Sequence, residues 1–89
     1  MIKEIIKFGA SWCKGCVSAD MALEQLGAMK PDIIISKIDI EDDEEMAAKY
    51  KVRGLPTLVF IGMSGNEIGR HTGAITVQEL LQIVDGDGL

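Results

Sequence analysis

The stretch Ile2-Lys3-Glu4-Ile5-Ile6-Lys7-Phe8-Gly9-Ala10-Ser11-Trp12-Cys13-Lys14-Gly15-Cys16 decides how the rest of the chain is read. Ile2 to Phe8 is short and rich in β-branched residues, which suits a buried strand. Gly9-Ala10-Ser11 makes a small turn. A helical pattern follows, with Cys16, Ala19, Leu23, Leu26 and Met29 on one face and Ala22 beside them. Pro31-Asp32 stops that helix. Ile33, Ile34 and Ile35, then Ile38 and Ile40, mark a second strand. A strand, a helix and a strand in this order imply a parallel pair joined by a right-handed crossover.

Beyond this unit the acidic run Glu41-Asp42-Asp43-Glu44-Glu45 suits the positive end of a helix dipole better than a cation site. Met46, Ala47 and Tyr50 supply the inner stripe of that short helix. Val52-Arg53-Gly54-Leu55-Pro56 reads as a turn and Thr57 to Ile61 as a third strand. Ser64-Gly65-Asn66 marks a hairpin into a fourth strand, Glu67 to His71. Thr76-Val77-Gln78-Glu79 matches a capping box and opens a last helix through Leu80, Leu81 and Val84. The tail from Asp85 to Leu89 is expected to be loose. The order is βαβαββα. The expected class is α/β, a four-stranded mixed sheet with helices on both faces, and residues 1–89 are read as one domain.

Composition narrows the function. The chain has 89 residues, too few for two domains of usual size, and is 47% hydrophobic and 26% charged, the balance of a globular protein. A net charge of −5 argues against a nucleic-acid binder that neutralises phosphates. No apolar run approaches the roughly 20 residues that cross a bilayer, so no membrane partner is expected. The charged start lacks the core of a signal peptide, which points to the cytosol. There, a close cysteine pair is more often catalytic or metal-binding than structural.

Cys13 and Cys16 fall where the first strand gives way to the first helix. Residues three apart on a helical turn share a side, so the two sulfurs can approach for a disulfide. Cys13, at the helix N-terminus, is where unpaired N–H groups and the dipole favour a thiolate, the species that attacks disulfides. Lys14 adds a positive charge of the same sense. Cys16, one turn in and facing the core, is expected to be shielded. Position thus assigns attack on a substrate disulfide to Cys13 and resolution of the mixed disulfide to Cys16. A structural zinc needs about four ligands, and this chain offers these two cysteines and a distant His71, so no metal is expected. Covalent haem needs His directly after the second Cys, where Val17 stands.

Trp12-Cys13-Lys14-Gly15-Cys16, followed about forty residues later by Arg53-Gly54-Leu55-Pro56-Thr57, resembles the thioredoxin family. Gly73-Ala74 is similar to the glycine bordering that family's substrate groove. Lys37-Ile38-Asp39 is similar to its lysine-bearing central strand. The resemblance runs from about Ile2 to Val84. It implies a thioredoxin-like fold and a cis Pro56 beside the sulfurs, with Trp12 covering the site. It also implies a substrate-binding set of Gly54, Leu55, Pro56 and Gly73, in which the Leu55 backbone pairs with an extended substrate strand. The implied activity is thiol–disulfide exchange on protein disulfides, with electrons from a reductase of the thioredoxin-reductase type, no cofactor, and a monomer.

Three departures stand against the family pattern. The N-terminal strand and helix of longer members are absent, which leaves a chain nearer the size of a glutaredoxin. Lys14-Gly15 replaces the usual Gly-Pro between the cysteines. Lys7 stands where the family has a buried acid. In the preferred reading Lys7 extends to the surface and pairs with Asp39 or another acid. In the other, Lys7 and Lys37 are neighbours that lower each other's amine pKa, and one of them, neutral, is the base for Cys16. Two alternative functions are kept. One is a glutathione-coupled, glutaredoxin-like enzyme, weakened by Arg53-Gly54-Leu55 before the proline. The other is a thioredoxin-fold scaffold or metal carrier, which would survive Cys13→Ser.

Overall fold

A computed structural model describes residues 1–86. Its elements are β1 (Ile2–Gly9), α1 (Gly15–Met29), β2 (Ile34–Asp39), α2 (Glu44–Lys49), β3 (Thr57–Gly62), β4 (Glu67–Thr72) and α3 (Val77–Gly86), the expected βαβαββα order. The four strands form one sheet in the order β2-β1-β3-β4. β1 runs parallel to β2, with Lys7 opposite Lys37. It is antiparallel to β3, which is antiparallel to β4. The mixed sheet with helices on both faces agrees with the expected class.

Strands β1 and β3 carry the near-continuous apolar runs and take the two inner places, as burial on both faces requires. Ile5, Leu58 and Phe60 pack under α1 and α3 with Ala19, Leu23, Leu26 and Leu80. Ile6, Phe8, Val59 and Ile61 face the other way, against Met46 and Tyr50 around α2. Phe8 and Tyr50 meet with ring centroids 5.7 Å apart. Asp43 caps α2 by accepting the Met46 N–H, so the acidic run is a helix start. The Thr76–Glu79 capping box forms in both directions, at 3.0 and 3.2 Å.

Three expectations need correction. The strand bearing Lys37 is an edge strand, because β1 and β3 occupy the interior; Ile34 on it is 51% exposed. Met29 is 53% exposed, since it lies in the last turn of α1 at the margin of the buried arc. The chain at Asp85-Gly86 is not loose: α3 runs through Gly86, and Asp85 pairs with Lys30 at 2.6 Å. The remainder of the expected tail, residues 87–89, lies outside the described residues.

Arg70 on β4 grips both Glu67 oxygens, at 2.6 and 2.8 Å, and donates to the Tyr50 carbonyl after α2 at 2.8 Å. The hydrogen bonds from Arg70 to the Glu67 carboxylate, with the guanidinium charge, hold that carboxyl below the ordinary glutamate range. A lowered folded value stabilises the fold above the unfolded value, and the contribution disappears as pH falls through the folded one. The pair is solvent-accessible, so its worth is under about 1 kcal/mol. Chemical denaturation at stepped pH should therefore show Glu67→Gln losing that small increment at neutral pH and matching the parent below the acid transition.

Candidate active site

The site begins with the two-residue period of β1, which turns Ile5, Lys7 and Gly9 toward α1. After Gly9 the chain makes a tight turn. The Cys13 N–H donates to the Ala10 carbonyl at 3.1 Å, and the Cys13 carbonyl accepts from Cys16 N–H at 3.3 Å. Cys13 and Cys16 are joined as a disulfide, with Cα atoms 5.4 Å apart. The helix starts at Gly15 with Lys14 as its cap, so Cys13 sits just ahead of α1 while Cys16 lies in the first turn. No acid occupies that turn, which leaves the positive end of the helix to the sulfurs.

Cys13 opens onto a groove of about 440 Å³ whose walls include Trp12, Lys14, Ile40, Arg53 and Leu55. Both cysteines are largely buried, at 9% exposure for Cys13 and 5% for Cys16, but Cys13 lines the groove and Cys16 does not. Trp12 is 62% exposed and stands as a wall of the groove, to which Cys13 also contributes. The far wall comes from the loop before β3, where the Leu55–Pro56 bond is cis. A Cβ on Gly15 would lie 3.0 Å from Pro56 Cδ, so the cysteine turn and the proline are in direct contact. Thr57 fixes this loop from beneath, donating to the Gly54 carbonyl at 2.6 Å and lying 3.3 Å from the Thr72 hydroxyl. Gly73, at φ +106°, donates its N–H to the Pro56 carbonyl at 2.8 Å. Gly73 therefore abuts the proline and is not among the groove-lining residues. The Leu55 backbone N–H and C=O find no partner among the described residues.

Behind the sulfurs lies a charged group. Lys7 is only 7% exposed, and its Nζ pairs with Asp20 Oδ1 at 2.8 Å. Lys37, its neighbour across β1 and β2, reaches the same oxygen at 3.5 Å. Lys7 thus pairs with an acid, but that acid is not Asp39, and the side chain does not run to the surface. The strand period points it at α1, where Asp20 waits. The sequence reading passed over Asp20, although its position four residues after Cys16 puts both on one helix face. Ile40 and Val52 read from the sequence only as strand and turn residues, and neither carries a chemical signal that would place it in the groove. Among the described residues no three His, Cys, Asp or Glu side chains converge as a metal site would require.

Comparison with known proteins places these observations in a family. The Thioredoxin family model matches residues 2–86. The thioredoxin of Chlamydia pneumoniae is 32% identical over 81 residues, covering 91% of this chain and 78% of that one. The chloroplastic thioredoxin-like protein CITRX of tomato (Solanum lycopersicum) is 39% identical over 85 residues, covering 93% of this chain but 49% of its own length. It is one of several curated relatives of which this chain spans half or less. Among solved structures, thioredoxin of Fasciola hepatica superposes with a TM-score of 0.84 at 34% identity, covering 93% of this chain and 78% of that one.

The convergence on Gly9 gives a direct check of this geometry. A methyl group there would meet Cys16 Sγ at 2.8 Å and Lys7 Cε at 2.9 Å. Overpacking of this kind costs about 1–3 kcal/mol. Gly9→Ala should therefore lower Tm by about 5 °C or more in a thermal melt of the oxidised protein, whereas an unchanged Tm would contradict the close approach.

Proposed function

The chain belongs to the thioredoxin family and carries that family's thiol–disulfide oxidoreductase site, and on that premise we propose that it reduces disulfide bonds in protein substrates. The observation that carries this reading is the placement of Cys13 at the mouth of a groove whose opposite wall offers the unpartnered backbone of Leu55. An extended segment of substrate docks there by strand addition, with main-chain hydrogen bonds supplying affinity. Gly54 and Pro56 shape that wall, and Gly73 braces it through Pro56. No helix of the described residues is long and apolar enough to cross a membrane.

In the reduced protein the Cys13 thiolate attacks one sulfur of the substrate disulfide. The helix end and the Lys14 charge support that thiolate. A Cys13–substrate bond forms, and the other substrate sulfur leaves and is protonated. Cys16 then attacks Cys13 Sγ and closes the Cys13–Cys16 disulfide, and the substrate sulfur bonded to Cys13 leaves as a thiolate and is protonated. Two electrons pass from the dithiol to the substrate. A reductase of the thioredoxin-reductase type restores the dithiol, and the protein acts as a monomer. The cytosolic location expected from the sequence belongs to the same proposal, because redox-type cysteine pairs stay in turnover in reducing compartments.

The test is dithiothreitol-driven reduction of insulin. Wild-type protein should accelerate it, Cys13→Ser should fall to the rate of dithiothreitol alone, and Cys16→Ser should accumulate a mixed disulfide at Cys13 visible by mass spectrometry. Full activity in Cys13→Ser would make the fold a scaffold and overturn the proposal.

A further inference from the structure

The buried Lys7 has no part in the cycle above, yet it sits beside the sulfur that closes the cycle. A Cβ on Gly9 would lie 2.8 Å from Cys16 Sγ and 3.1 Å from Lys7 Nζ. The ammonium and the sulfur are thus no more than about 6 Å apart, a span that one water bridges. Asp20, on the α1 face that also carries Cys16, holds Lys7 at 2.8 Å and reaches Lys37 at 3.5 Å. Two cations thus share one carboxylate at the inner end of the site, and Asp39 and Asp42 line the pocket beyond them. Lys37 is more than half exposed and screened by solvent. Lys7 is enclosed, where charge acts at higher effective strength.

We propose that the Lys7 ammonium, positioned by Asp20, stabilises the Cys16 thiolate and so favours the dithiol form over the disulfide. This deepens the oxidoreductase reading and rests on it. In the resolving step the Cys16 thiol gives its proton to solvent and its thiolate attacks Cys13 Sγ. The Cys13–Cys16 bond forms as the bond from Cys13 to the substrate sulfur breaks. The substrate leaves as a thiolate and is protonated by solvent. The dithiol loses two electrons, and the substrate disulfide gains them. A cation beside Cys16 raises the fraction of attacking thiolate. Where the pH ionises Cys16 in the dithiol, it also stabilises the reduced protein, which there moves the potential in the less reducing direction. Asp20 acts only through Lys7: it fixes the ammonium in place and offsets part of its charge.

The two residues should therefore shift the redox equilibrium in opposite directions. Equilibrated against glutathione, Lys7→Met, which keeps the length of the side chain without its charge, should favour the disulfide by about fivefold, a potential about 21 mV more negative. Asp20→Asn, which keeps an acceptor oxygen for Lys7 but removes the opposing charge, should favour the dithiol. A purely structural ion pair would lower Tm in both variants and leave the equilibrium within twofold of the parent. That result, or a shift of both variants in one direction, overturns the proposal. Lys7→Gln gives the same reading if the methionine variant does not fold. The equilibrium needs no physiological substrate, so it separates this inference from the broader one: failure to reduce insulin would remove the latter and leave the former standing on its own measurement.

Discussion

Strand β1 is buried on both faces, and its two-residue period assigns each of its side chains to one of two cores. Ile6 and Phe8 pack with Val59 and Ile61 on the α2 side, and Ile5 joins Leu23, Leu26 and Phe60 on the α1 side. The same alternation brings Lys7 and Gly9 to face α1. Gly9 has no side chain to hold the helix away, so the Cys16 sulfur and the Lys7 amine close on one point. A slip of one residue in β1 would exchange the two cores and separate the charge from the sulfur. The apolar packing that makes the sheet is therefore also what fixes the electrostatics of the redox pair.

The other half of the site arrives from a distant part of the chain. Gly15 touches Pro56 without an intervening side chain, which lets the cysteine turn and the cis-proline loop form the two walls of one groove. That loop is held from two directions. Thr57, almost wholly buried, binds the Gly54 carbonyl and meets Thr72, and Gly73 binds the Pro56 carbonyl. Among the described residues none of these bonds engages the Leu55 backbone, which a strand-adding substrate would need free. A buried hydroxyl with its bonds satisfied stabilises the loop more than its single position in sequence suggests.

Much of this was legible in the residues. The order of elements along the chain followed from apolar runs and turn residues, the last helix from Thr76 and Glu79, and the redox pair from the spacing of Cys13 and Cys16. What escaped the reading has a common physical origin: it depends on which elements become neighbours. The edge position of β2 is a property of the whole sheet, which fills its inner places with the most apolar strands. Met29 followed the helical pattern but fell where the buried arc ends. The partner of Lys7 lay on another element, and only the joint use of the strand period and the helix period would have named Asp20. Gly73 was singled out by resemblance alone, and its place behind Pro56 comes from the pairing of β3 with β4.

The account turns on an asymmetry between two sulfurs three residues apart, one opening onto the groove and the other enclosed next to a lysine. Timed alkylation of the reduced protein with iodoacetamide, with the labelled cysteine identified by peptide mass spectrometry, tests that asymmetry most directly. The account predicts that Cys13 is modified first and that Cys16 remains protected while the protein is folded. Equal labelling, or labelling of Cys16 ahead of Cys13, would contradict it.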